Sequence, residues 1–224
     1  MAETEPIRAL VFDAYGTLFD VHSIGAACES LFPGKGTELS RLWRAKQLEY
    51  AWLRSLMGRY ADFEAITRDA LGASCGELGL ELLPNDELML MDGYRKLSPF
   101  PEVIGALASL SDCKKSLLSN GSPGMLRDVV QHAGLAEIFD AVLSVDVLRI
   151  FKPHPSVYGL ARRQLNLKSE EIGFVSSNFW DIAGAASYGF RTFWINRSNA
   201  RAEKLGFHPY AVISDLSQIS PFLG

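Results

Sequence analysis

Short apolar runs rich in β-branched and aromatic residues recur along the chain, at residues 7–12, 115–119, 141–145, 172–176, 192–195 and 211–213. Stretches of helical spacing lie between most of them, at 103–110, 123–133, 157–165 and 182–188. Strands that alternate with helices predict βαβ units, and such units build a parallel sheet with helices on its faces. The expected fold is therefore α/β, a Rossmann-like parallel sheet core flanked by helices.

The first interval breaks this rhythm. Residues 13–114 hold no convincing strand. Instead Leu39, Leu42, Trp43, Leu48, Trp52, Leu53 and Leu56 recur at helical spacing over 37–57, and helical patterns follow at 62–71 and 85–97. The spacing predicts an all-helical cap subdomain over residues 20–98, inserted after the first strand. Its return is marked by Ser98-Pro99-Phe100-Pro101. Residues 1–19 and 99–224 would then form the core. A cap hinged over a strand-end site closes a cleft and excludes water.

Charge and composition narrow the function classes. The chain has 22 basic and 26 acidic residues, a formal charge of −4, and no basic run long enough for a nucleic-acid stripe. An acidic average still permits an anionic substrate, because a site can hold local positive charge. No apolar run approaches transmembrane length, and the acidic start Met1-Ala2-Glu3-Thr4-Glu5-Pro6 does not resemble a signal peptide. A cytoplasmic protein with no nucleic-acid or membrane partner is expected. Cys28, Cys75 and Cys113 have no CxxC spacing and read as reduced, packed thiols.

Four strand ends carry polar residues to one edge of the predicted sheet. The first presents Asp13 and Thr17, the second Ser119-Asn120-Gly121, the third leads to Lys152-Pro153, and the fourth presents Ser176-Ser177-Asn178 with Trp180 and Asp181 beyond. Ligand sites of open α/β sheets lie outside these carboxyl ends. Taken singly, each residue has a plain structural role: a turn cap for Asp13, a turn hydroxyl for Thr17, a helix N-cap for Ser119 or Asn120, a solvated loop cation for Lys152, a first-turn acid for Asp181. Together they make a reactive constellation. Asp13 can act as a carboxylate nucleophile and Thr17 can fix its rotamer. Ser119 and Asn120 offer donors to an anion. Lys152 beside Asp13 would keep the carboxylate ionised and stabilise developing negative charge, and Asp181 could pair with it and orient a water. Arg41, Arg44 and Arg54 lie on one cap helix, and the spacing does not choose which faces the cleft. Tyr15, Leu48, Phe63 and Trp180 are candidates for an apolar pocket.

The motif Phe12-Asp13-Ala14-Tyr15-Gly16-Thr17-Leu18-Phe19-Asp20, with Ser119-Asn120-Gly121, Lys152-Pro153 and Ser176-Ser177-Asn178-x-Trp180-Asp181, resembles the haloacid dehalogenase superfamily. The cap run from Trp43 to Arg54, WRAKQLEYAWLR, is similar to that of its L-2-haloacid dehalogenases. The resemblance implies hydrolytic dehalogenation of small (S)-2-haloalkanoic acids with inversion, through an aspartyl ester on Asp13. It implies that Arg44 assists halide departure and that Ser119 and Asn120 hold the substrate carboxylate. Ala14 and Tyr15 would contact the substrate, the former through its backbone. Thr17, Lys152, Tyr158, Ser176, Asn178 and Asp181 match positions needed for catalysis, with Asp181 as activator of the hydrolytic water. Leu48, Phe63 and Trp180 match the pocket around the alkyl group. A homodimer and no metal or other cofactor are implied as well. His154 departs from the acidic residue that many relatives carry there.

Two other readings compete. A Mg²⁺-dependent phosphatase of the same superfamily would carry an Asp two residues after the nucleophile, where this chain has Tyr15, and an acid where Ser177 and Asn178 stand. A non-catalytic binding module would lack some of the catalytic set, which is complete here.

Overall fold

The computed structural model describes residues 5–110 and 113–223. The apolar runs form β1 (Ala9–Phe12), β2 (Lys114–Ser119), β3 (Ala141–Ser144), β4 (Ile172–Ser176), β5 (Arg191–Ile195) and β6 (Ala211–Ile213). All pair in parallel, in the order β3-β2-β1-β4-β5-β6. Every residue of β1 and β4 is buried. Strands covered on both faces read as continuous apolar runs rather than alternating ones, which is why these two are the easiest to see in the sequence. Each fully buried large apolar side chain in them contributes about 1.5–3 kcal/mol.

The chain fills the sheet from β1 outward to β3, then crosses back to lay β4 against the other side of β1. The strand order reverses at β1, and a crevice opens there at the carboxyl ends.

Helices α1 (Ile24–Leu31), α2 (Gly36–Leu56), α3 (Phe63–Glu77) and α4 (Pro84–Arg95) lie between β1 and β2, as the broken rhythm implied. The two chain crossings run side by side, with Asp20 N donating to Ser98 O (2.9 Å) and Phe100 N to Leu18 O (3.0 Å). Two details differ from the sequence expectation. Helix α1 is too short, at eight residues, to show a helical period and is fixed by packing on α2 and α4, with Ile24 and Cys28 turned inward. Helix α3 continues past residue 71 through Gly72 and Gly76, because Ser74 and Cys75 extend its buried face and Ser74 Oγ donates to Ala70 O. The insertion leans on the rest of the chain through Tyr60 Oη to Asp146 (2.8 Å), Ser55 Oγ accepting from Phe151 N (3.1 Å), and Arg95 to Asp128.

Helices α5 (Val103–Ser109), α6 (Pro123–His132), α7 (Pro155–Leu165) and α8 (Phe179–Tyr188) flank the sheet. Helix α8 starts three residues before the predicted 182, so Asp181 lies in its first turn. All three cysteines are free thiols; Cys28 and Cys75 are buried and Cys113 is partly exposed.

Candidate active site

Asp13 follows the last residue of β1, and the register sets its neighbours. Phe12 pairs with Leu117 on one side and Val175 on the other, which puts Asp13 level with Ser176. Asp13 N donates to Val175 O at 2.9 Å. The chain then reverses around the Ala14 carbonyl, which accepts from the amides of Thr17, Leu18 and Phe19. Gly16 allows that reversal, with φ of 87° in the left-handed region.

The two oxygens of the Asp13 carboxylate have unequal surroundings. Oδ2 accepts from Thr17 Oγ1 (2.8 Å), Asn178 Nδ2 (2.8 Å) and Ser176 Oγ (3.3 Å). Among the described residues Oδ1 meets only the Lys152 ammonium, at 3.0 Å. Lys152 is wholly buried and turns a second N–H to Asp181 Oδ2 at 2.8 Å. Asp181 Oδ1 in turn accepts from Tyr158 Oη at 2.8 Å. Gly184 makes room for that phenol: a Cβ there would stand 2.4 Å from Tyr158 Oη and 2.7 Å from Pro153 Cβ.

The charges follow from this burial. Loss of water pushes the Asp181 carboxyl up to about 6, against the pull of Lys152. Burial by itself would lower the Lys152 ammonium, but Asp13 and Asp181 together hold it above its ordinary value. Burial and the Asp181 charge keep the Tyr158 phenol well above its ordinary range, so it remains a neutral donor. Among the described residues no group of three or more His, Cys, Asp or Glu side chains is placed to hold a metal ion. The gap between the Asp13 and Asp181 carboxylates is filled by the Lys152 ammonium.

The second strand end delivers Asn120, whose Oδ1 accepts from Lys152 N at 2.9 Å. That bond fixes the carboxamide and leaves Nδ2 without a partner among the described residues. Ser119 Oγ accepts from Gly121 N at 3.1 Å. Neither residue caps the next helix. That role belongs to Ser122, whose Oγ accepts from Met125 N, so the capping alternative for Ser119 and Asn120 is corrected by three and two residues respectively.

Of the three arginines on α2, the structure turns Arg44 to the loop that follows β1. Its Nη2 donates to Tyr15 O at 3.2 Å, the same carbonyl that accepts from Asn178 Nδ2. Arg54 pairs instead with Asp69, and Arg41 is exposed.

A family model for haloacid dehalogenase-like hydrolases matches residues 7–189. The chain belongs to this family. It is 48% identical over 215 residues to an (S)-2-haloacid dehalogenase of Pseudomonas sp. strain YL, covering 95% of this chain and 93% of that protein. It is 46% identical over 205 residues to haloacetate dehalogenase H-2 of Moraxella sp. strain B, covering 91% and 92%. Its fold matches the structure of L-2-haloacid dehalogenase from Xanthobacter autotrophicus with chloropropionic acid covalently bound, with a TM-score of 0.90, 42% identity, and coverage of 95% and 96%.

In this haloacid dehalogenase-like hydrolase the four apolar pocket candidates are divided among three places. Tyr15 and Phe63 share a buried cluster, their rings 5.9 Å apart. Trp180 packs edge-on against Trp52 and lines a separate apolar cavity with Leu56 and Phe207. Leu48 lines a third space beside Arg44. Sequence reasoning missed Gln47, which is wholly buried: its Oε1 accepts from Arg44 Nη1 (2.6 Å) and its Nε2 donates to Thr67 Oγ1 (2.7 Å). The signal was there, a polar residue inside the apolar stripe three positions after Arg44. Arg197, whose Nη2 donates to Thr17 O at 2.9 Å, was also missed; it stands alone in a loop and no local pattern marks it.

Proposed function

We propose that this chain is a metal-independent (S)-2-haloacid dehalogenase that converts small (S)-2-haloalkanoic acids into (R)-2-hydroxyalkanoic acids. The observation that carries the reading is the asymmetry at Asp13, with three neutral donors on Oδ2 and a single cation on Oδ1. Oδ1 is the freer oxygen and attacks C2 from the side opposite the halogen. The C2–halogen bond breaks with its electron pair on the halide, and C2 inverts. Arg44 meets the departing halide, where a cation lowers the barrier most.

The ester carbonyl oxygen is then Oδ2, already inside its cradle of Thr17, Ser176 and Asn178. Water attacks Cγ of Asp13, and the negative charge that develops on Oδ2 is met by donors fixed in advance. Asp181, ionised and held by Lys152 and Tyr158, takes a proton from that water. Collapse then breaks the Cγ–Oδ1 bond: Oδ1 leaves as the product's hydroxyl oxygen, protonated by Asp181, while the water oxygen stays in the Asp13 carboxylate and its second proton passes to solvent. Because the second attack falls on Asp13 and not on C2, the inversion of the first step is retained in the product. Splitting one displacement into two steps is the usual gain from covalent catalysis.

Ser119, Asn120 and the Ala14 backbone hold the substrate carboxylate. Of the four apolar pocket candidates, Leu48 bounds the alkyl group, because it lines the space it shares with Arg44 and Asn178; Tyr15 and Phe63 are packed in the buried cluster and Trp180 lines a different cavity, which corrects the expectation of a single pocket made by all four. Residues 20–98 act as the cap and residues 1–19 with 99–224 as the core. The active form is a cytoplasmic homodimer; the exposed Leu56 and Met57 at the end of α2 are consistent with an apolar contact. No helix among the described residues is long and apolar enough to cross a membrane.

The test is halide release from each enantiomer of 2-chloropropionate, with EDTA present and a phosphatase substrate run in parallel. Release from the S enantiomer alone, indifferent to EDTA, is expected. Mg²⁺-dependent phosphate release without halide would overturn the reading.

A further inference from the structure

A cavity of about 370 Å³ opens between the nucleophile loop and the loop after β5. Gly16 and Asn178 lie on its inner side, next to Asp13, and Arg44, His22, Trp194 and Arg197 complete the part that matters here. None of its lining residues is acidic, although acids outnumber bases in the chain as a whole. Two arginines therefore share one half-open space, and its wall includes Asn178, whose Nδ2 donates to Asp13 Oδ2.

Arg197 is held in an unusual way. Its guanidinium lies 3.8 Å from the centroid of the Phe100 ring, its Nε donates to Glu102 at 3.0 Å and its Nη2 to Thr17 O at 2.9 Å. Its Nη1 is buried and has no hydrogen-bond partner among the described residues. A buried guanidinium donor without an acceptor costs free energy unless an anion or water supplies one. One acid outside the lining, Glu102, offsets Arg197, and Arg44 has no acidic partner in the lining, so the wall itself is net positive.

We propose that this cavity is the port through which anions reach and leave Asp13, with Arg197 as its outer contact and Arg44 as its inner one. The inference rests on the proposed reaction, in which the substrate enters as one anion and leaves as two. Positive lining in a low-dielectric cleft raises the local concentration of such ions and their rate of entry. A second cation beyond Arg44 would favour the departure of the released halide over its return to the alkyl carbon.

The charge can be varied in both directions. Arg197→Gln removes the outer cation. Glu102→Gln keeps the cation and removes the acid that offsets it. Arg197→Lys keeps charge with a different shape. Sodium iodide quenching of tryptophan fluorescence reads the port directly, because Trp194 lines it; the Trp194→Phe background identifies that component, and neutral acrylamide serves as the control quencher.

Arg197→Gln is expected to reduce iodide quenching of Trp194 with acrylamide quenching unchanged. It should also lower kcat/KM for (S)-2-chloropropionate by about tenfold at low salt, chiefly through KM, with the difference closing at high salt. Glu102→Gln should move both readouts the opposite way, and Arg197→Lys should keep the iodide response. Equal losses in Arg197→Gln and Glu102→Gln, with iodide quenching unmoved, would mean that the pair only clasps the cap crossing, and the port would be abandoned. Should the wild-type protein release no halide, the proposed reaction fails while the iodide comparison still decides whether the cavity selects anions.

Discussion

Lys152 Nζ stands 2.8 Å from Asp181 Oδ2, and neither side chain touches solvent. A buried ion pair is held by geometry and by the hydrogen bonds around it, since its desolvation offsets much of its attraction. Here the same ammonium also reaches Asp13, so one cation serves two carboxylates. Removing it would strand both charges, and Lys152→Met should cost about 3–5 kcal/mol of stability by urea unfolding as well as activity. A variant of wild-type stability would show that the two carboxylates do not depend on it.

Ester hydrolysis should follow the ionisation of Asp181. Its carboxyl is raised from 3.8 to about 6, with burial as the leading cause. The folded protein thus binds this proton more tightly than the unfolded chain. The contribution of this group to stability is fully present below its unfolded value and is lost as pH rises through about 6. Activity should run the other way, because only the anion accepts a proton from water. Single-turnover decay of the ester should rise with pH along an acid limb near 6, a value that belongs to the coupled cluster of Asp13, Lys152 and Asp181. A flat profile through that range would remove Asp181 as the base.

Tyr158→Phe should move that limb upward. The phenol donates to the charged form of Asp181 and so favours it. Loss of a hydrogen bond to a charged group, worth about 1.5–3 kcal/mol, corresponds to a rise of about 1 pH unit or more. The pH profile of kcat checks this, and an unshifted limb would reduce Tyr158 to a packing role.

Gly184→Ala tests the same bond from behind. The new Cβ would collide with both Tyr158 Oη and Pro153 Cβ, and neither belongs to a flexible chain end. Overpacking of this kind costs about 1–3 kcal/mol, to be read from the urea midpoint. The acid limb should shift in the same direction as in Tyr158→Phe.

Asp13→Asn should abolish multiple turnover with the fold intact by circular dichroism. In ¹⁸O-water, a single turnover of the unaltered protein should label Asp13 and leave the first product unlabelled. Label that goes directly into product would mean that water attacks C2 itself.

Arg44→Ala should slow ester formation by about 100-fold, the usual loss when one donor to a developing anion is removed. Rapid-quench measurement separates this step from hydrolysis, which should change little. A wild-type rate of ester formation would exclude Arg44 from the departure of the halide.

The strand–helix alternation, the long helical insertion and the four polar strand ends were all visible in the chain. Local periodicity and strand-end motifs encode them, and β1 and β4 announce themselves because both of their faces are covered. The motif residues Asp13, Thr17, Lys152, Tyr158, Ser176, Asn178 and Asp181 do converge into one hydrogen-bonded cluster. What local pattern does not encode is direction and partnership across distance. Among the arginines of α2, packing against the loop after β1 singles out Arg44. Gln47 becomes its support only because Thr67 arrives from α3, and Arg197 reaches the Thr17 carbonyl only because β5 is laid beside β4. The unequal environments of the two Asp13 oxygens depend on contacts spanning 139 to 165 residues of chain. Spacing along a sequence fixes faces and ends, whereas the order of strands in a sheet decides which ends meet.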